Sequence, residues 1–150
     1  MTPLLYTVIA IIAALGVAAI VGWSIKRRSG VVHEAHPAAT STAGEPVTAD
    51  LLDTSDLGLS RTGPTIVHFS AVWCGPCAGV RRVVHQVCAD LPDVAHVEID
   101  MDADPGAARR LAVLSLPTTF VFDAQGRLRY RSAGVPRQAD LRSAVAALLA

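Results

Sequence analysis

Cys74 and Cys77 stand three residues apart where a β-rich run gives way to a helical one, and that junction limits the folds open to the chain. Thr65–Ser70 (TIVHFS) is short, mostly apolar and rich in β-favouring residues, the pattern of a strand buried on both faces. Cys77, Val80, Val83, Val84, Val87, Cys88 and Leu91 then recur at helical spacing along one side of the next segment, which Pro92 closes. Gly75 and Pro76 fit a tight turn into this helix, because proline lacks a donor that the first turn would leave orphaned. Cys74 lies at the positive end of the helix dipole, which favours its thiolate and marks it as the attacking nucleophile. Cys77 falls on the apolar side and reads as the shielded resolving thiol.

The segments that follow complete a layered pattern. Residues 94–100 read as a second strand. Asp104 is a natural N-cap with Pro105 at the first helical position, opening a helix through about Leu111. Residues 118–123 and 128–131 form two strands joined by Ala124-Gln125-Gly126, a hairpin signal, and 140–149 is an amphipathic helix. Strand, helix, strand, helix, hairpin and helix imply an α/β fold with a mixed central β-sheet flanked by helices.

Metal chemistry finds no complete ligand set. Beyond the Cys74/Cys77 pair only Cys88 remains, 11 residues past Cys77 on the same helix. That is ~16 Å along the axis, out of reach of a shared zinc or a disulfide, so Cys88 reads as a core residue. Asp100, Asp102 and Asp104 mimic a calcium loop, but Pro105 takes its glycine position and Leu111 its bidentate glutamate position. His33, Glu34 and His36 have no further ligand nearby and read as solvated.

With these residues in place, the stretch from about Thr65 to Ala150 resembles thioredoxin. Trp73-Cys74-Gly75-Pro76-Cys77 matches that family's active-site motif, and Leu116-Pro117-Thr118 matches its second motif, 40 residues beyond Cys77. The resemblance implies that Pro117 is cis and faces the two cysteines, and that the Leu116 backbone pairs with a target chain. It also implies that Trp73, Gly75, Pro76, Leu116 and Pro117 line the substrate groove. The family's buried aspartate, six residues before the first cysteine, is His68 here, and its nearby lysine is His96. His68 has two readings: a neutral imidazole acting as base for Cys77, or a core histidine with no catalytic duty. The first strand and helix of the family reduce to about 47–52 and 55–59 in this chain.

Ahead of the domain lies a different kind of sequence. Residues 4–25 carry no charge over 22 positions, ~33 Å as a helix and long enough to cross a bilayer core. Lys26, Arg27 and Arg28 then stop the run, and no cleavage-type site follows it. The expected organisation is a transmembrane helix over 3–25, a basic stop and flexible linker over 26–48, and the thioredoxin-like domain over 49–150. The basic cluster at the C-terminal end favours a cytoplasmic domain, with an extracytoplasmic one as the alternative. From Ser29 onward 10 Arg face 13 Asp and Glu, a net charge of −3 that gives no basic face for nucleic acid.

The function expected is reduction of protein disulfides through Cys74 and Cys77, with no metal or organic cofactor. Its partners would be disulfide-containing client proteins and a thioredoxin-reductase-like or membrane electron donor. The alternatives are an extracytoplasmic oxidant, isomerase or cytochrome-maturation reductase of the same fold, and a tethered interaction module with an idle dithiol.

Overall fold

The computed structural model describes residues 11–20, 22, 32–34 and 54–150. Residues 11–20 and 22 are helical, and the rest of the expected 3–25 span lies outside the described residues. No helix among the described residues is long and apolar enough to cross a membrane. The strand expected over 47–52 also lies outside them.

Among the described residues a five-stranded sheet organises the domain. Its strands are β1 (His33–Glu34), β2 (Thr65–Ser70), β3 (Ala95–Asp100), β4 (Thr118–Phe122) and β5 (Leu128–Ala133), in the spatial order β1-β5-β4-β2-β3. β2 and β3 are parallel, and every other neighbouring pair is antiparallel. The parallel pair is bridged by helix α1 (Cys77–Asp90), the crossover that parallel strands require. Helices α2 (Pro105–Arg110) and α3 (Gln138–Ala146) complete the fold. The α/β architecture with a mixed sheet is therefore as the sequence implies.

Period-two alternation divides the two cores. Val67 and Phe69 of β2 and Phe120 and Phe122 of β4 pack on one face with Ala107, Ala108 and Leu111 around α2. Ile66 and Val121 point the other way and meet Val80, Val84 and Val87 of α1 and Leu141 and Val145 of α3. Burying each of these large side chains contributes about 1.5–3 kcal/mol, so the sheet is clamped between two apolar layers. β2 and β4 are buried throughout, which is why TIVHFS and TTFVF read as continuous runs.

Local chemistry ends the elements where expected. The Asp104 carboxylate accepts from the Ala107 N–H at 2.9 Å, capping α2 with Pro105 at its start. In the β4–β5 turn, Asp123 Oδ1 accepts from the Gln125 and Arg127 N–H groups, and Gly126 takes φ +76°. Two expectations change. Residues 55–58 form a turn rather than a helix, closed by the Leu57 N–H on the Thr54 carbonyl at 3.1 Å. His33 and Glu34 are paired as an edge strand with Arg131 and Tyr130, although no periodicity announces it.

Candidate active site

β2 delivers the chain to the dithiol. After Ser70 the backbone leaves the sheet through turns in which the Cys74 N–H donates to the Ala71 carbonyl at 3.0 Å. The Cys77 N–H then donates to the Cys74 carbonyl at 3.2 Å, and Gly79 to that of Pro76 at 2.9 Å. α1 begins at Cys77 with Pro76 as its cap residue, so Cys74 sits in the turn just ahead of the helix. Cys74 and Cys77 are joined in a disulfide with Cα atoms 5.5 Å apart. Cys74 is half-buried and Cys77 fully buried, so only the first sulfur is open to an incoming chain. Cys88 is free and half-buried, and burial pushes its thiol above the ordinary value.

The Leu116–Pro117 bond is cis. Thr118 pairs with Phe69 across β2 and β4, which sets Pro117 level with the end of β2. The Pro117 carbonyl accepts from the Gly134 N–H at 2.8 Å, and Val135 beside it would press within 3.2 Å of a Cβ at Gly79. Gly79 lies two residues past Cys77, so this chain of contacts seats the proline loop against the start of α1. Val72 and Trp73, just ahead of Cys74, are 91% and 64% exposed, and Leu114, two residues before Leu116, is 92% exposed, so none of these apolar side chains is covered by the described residues. The Trp73 indole N–H donates to Asp102 Oδ2 at 2.9 Å. Asp102 also lines a shallow cleft of about 340 Å³ with Met101, Pro105, Ala108, Arg109 and Val113.

Beneath α1 lies a polar cluster that the sequence only partly announces. His68 is fully buried on the α1 face of β2, and its Nδ1 is 2.9 Å from His96 Nε2, with the rings stacked 12° from parallel. His68 Nε2 is 3.5 Å from Glu98 Oε1 and has no hydrogen-bond partner among the described residues. Glu98 accepts from Ser70 Oγ at 2.6 Å and from Arg81 Nε at 2.8 Å, with Arg81 Nη2 2.7 Å away. His85 stands edge-on to His96, ring centroids 5.6 Å apart. Burial holds His68 down at about 4; Glu98 opposes this while His96 and Arg81 reinforce it. The Arg81 hydrogen bond, aided by Ser70, holds Glu98 at about 2 against the cost of burial.

Of the residues singled out from sequence, Trp73, Gly75 and Pro76 form the exposed rim of the dithiol, and Leu116 and Pro117 form the adjoining loop. His68 is brought under the first turns of α1, although its hydrogen bond goes to His96. Ser70, Arg81, His85, Glu98 and Asp102 were not anticipated. The alternation of His96, Glu98 and Asp100 through β3 was the available signal for a polar strand face.

The thioredoxin family model matches residues 55–147. A thioredoxin of Mycolicibacterium smegmatis is 42% identical over 79 residues, covering 51% of this chain and 69% of that one. The bifunctional thioredoxin reductase/thioredoxin of Mycobacterium leprae is 34% identical over 88 residues, 57% of this chain and 19% of that one. The crystal structure of chloroplastic thioredoxin z superposes with a TM-score of 0.54 at 31% identity, covering 59% of this chain and 80% of that one. The family model spans well over half of the chain and includes the Cys74–Cys77 disulfide and the cis Pro117. The chain belongs to the thioredoxin family and is a protein thiol–disulfide oxidoreductase.

Proposed function

We propose that this protein reduces disulfides of client proteins from a membrane-tethered position, Cys74 attacking and Cys77 resolving. The supporting observation is the asymmetry of the pair, with a reachable Cys74 and a wholly buried Cys77. The Cys74 thiolate attacks a client sulfur and the other client sulfur leaves with its bond pair, giving a mixed disulfide. Cys77 then attacks Cys74, closing the ring and releasing the second client thiol. Two electrons pass from the enzyme dithiol to the client. A thioredoxin-reductase-like protein or a membrane electron donor restores the dithiol, in keeping with the reductase fused to the M. leprae relative.

Trp73, Gly75, Pro76, Leu116 and Pro117 form the client groove in this reading, with exposed Val72 and Leu114 extending its apolar floor. His68 accepts the Cys77 proton. It is neutral at working pH and keeps a buried nitrogen, unpartnered among the described residues, on the α1 side of the sheet. A base held at about 4 takes a thiol proton only transiently, so His68 passes the proton on rather than stores it.

The uncharged run over residues 4–25 supplies the tether, and Lys26, Arg27 and Arg28 favour a cytoplasmic domain. The test is reduction of a disulfide-bonded peptide by the full chain in intact and permeabilised cells, scored with a membrane-impermeant thiol reagent. Activity that requires Cys74, with labelling of Cys74 only after permeabilisation, is expected. Labelling in intact cells would place the domain outside.

A further inference from the structure

β1 begins at the dithiol end of the sheet. Phe69, Thr118 and Ala133 lie in one row across β2, β4 and β5. Beyond that row the chain passes from β2 to Cys74 and enters β4 from Pro117. β5 runs towards the row and β1 runs antiparallel to it, with His33 opposite Arg131 and Glu34 opposite Tyr130. Val32 therefore leads into β1 from the dithiol side. Three strand spacings, ~14 Å, separate β1 from β2.

This pairing also sets the length of the tether. Only residues 26–31 lie between the uncharged run and Val32, a reach of roughly 25 Å at full extension. Were β1 unpaired, the tether would run over residues 26–53 and reach roughly 100 Å. A domain held at its dithiol end by the short tether keeps that end nearest the bilayer. Turning over would place the length of β5, ~20 Å, between the attachment point and the bilayer, and would take up almost the whole tether.

We propose that docking of His33 and Glu34 on β5 faces the dithiol towards the membrane and directs it to disulfides that integral membrane proteins carry close to the bilayer surface. The proposal rests on the tethered reading given above. The exchange is unchanged: the client disulfide gains two electrons and two protons as the Cys74–Cys77 bond forms. Uncovered Val72 and Trp73 beside Cys74, and Leu114 near the Pro117 loop, suit such clients, because segments at the membrane boundary are rich in apolar and aromatic residues. β1 also covers backbone groups of Tyr130 and Arg131 that an open sheet edge would offer to other chains.

The test places the reduced full chain in phosphatidylcholine vesicles with a single-pass polyleucine peptide that carries a disulfide-linked fluorophore. The disulfide stands three residues from the apolar segment in a near peptide. In a far peptide it stands beyond a 15-residue proline-rich spacer, roughly 45 Å away. Single-turnover release should be at least about tenfold faster from the near peptide. Inserting 20 Gly and Ser residues between Ser29 and Gly30 spares β1 and should bring the two rates within about twofold. The double variant His33→Pro, Glu34→Pro removes two backbone donors from the β1–β5 ladder and should do the same. Both altered chains should reduce a soluble peptide disulfide at the original rate, which shows that the domain is folded. Co-flotation with the vesicles is scored first. A chain that fails to float would overturn the tethered reading and this proposal with it. A floating chain that reduces near and far peptides equally would overturn the proposal alone. A near preference that survives both the insertion and the proline pair would overturn the part given to β1.

Discussion

His68 and His96 share a hydrogen bond of 2.9 Å beneath α1, with their rings stacked and the His68 side chain sealed from solvent. Parallel pairing of β2 and β3 sets Ile66 against His96 and His68 against Glu98, so one imidazole meets both β3 side chains. A buried polar residue is thereby placed in a network in which its Nε2 faces Glu98 at 3.5 Å and has no hydrogen-bond partner among the described residues.

Acid stability should register this pair. The folded pKa of His68 is about 4, below the ordinary 6.5, so the unfolded chain binds the proton first. Stability is complete above about pH 6.5 and falls as the pH drops towards about 4, by a total on the order of 3 kcal/mol. Glu98, held at about 2 against an ordinary 4.5, contributes a separate loss that begins below about pH 4.5 and runs towards 2. Urea unfolding across this range checks both. His68→Phe should shrink the loss in the upper window, leaving the share of His96, which burial also holds below its ordinary value, and spare the lower one.

The two cysteines should fail differently. Cys74→Ser should lower peptide-disulfide reduction by more than about 100-fold without detectable adduct, because the accessible nucleophile is gone. Cys77→Ser should instead accumulate a mixed disulfide between Cys74 and the client, visible by mass spectrometry and released by dithiothreitol. Accumulation in Cys74→Ser, with adduct on Cys77, would reverse the assignment.

Trp73 is oriented by Asp102 at 2.9 Å although its ring is largely exposed. Asp102→Ala removes one solvent-accessible hydrogen bond, about 0.5–1.5 kcal/mol. KM for a peptide disulfide should rise about two- to tenfold with kcat nearly unchanged. A fall in kcat at constant KM would mean that the indole serves the exchange itself.

Arg131 braces the loop leading to Pro117. Its guanidinium donates to the Leu111 carbonyl at 3.4 Å and to that of Ala112 at 2.6 Å, and it lies 5.1 Å above the Phe120 ring. Ala112 holds φ +48°, which glycine adopts more readily. Arg131→Met should destabilise the domain by about 1–3 kcal/mol, and Ala112→Gly should be neutral or stabilising by up to about 1 kcal/mol. Chemical denaturation measures both.

Much of this site is written locally. The strand-to-helix junction, the Asp104 cap, the 123–127 turn and the two motifs around Cys74 and Pro117 depend on neighbours a few residues away, so spacing reveals them. The His68 cluster depends on the β2–β3 register, which no local pattern sets, and Glu98 and Arg81 meet only after α1 folds back. Asp102, which resembled part of a calcium loop, holds the Trp73 indole for the same reason: its partner is 29 residues away. Pairing of His33 and Glu34 with β5 spans nearly 100 residues and has no alternating pattern to mark it.

The reduction potential of the Cys74–Cys77 couple tests the central claim most directly, measured by equilibration with glutathione in a Cys88→Ser background. A reductase predicts a value near roughly −270 mV, where the dithiol gives electrons to client disulfides. A value of roughly −180 to −120 mV would contradict it and make the protein an oxidant or isomerase.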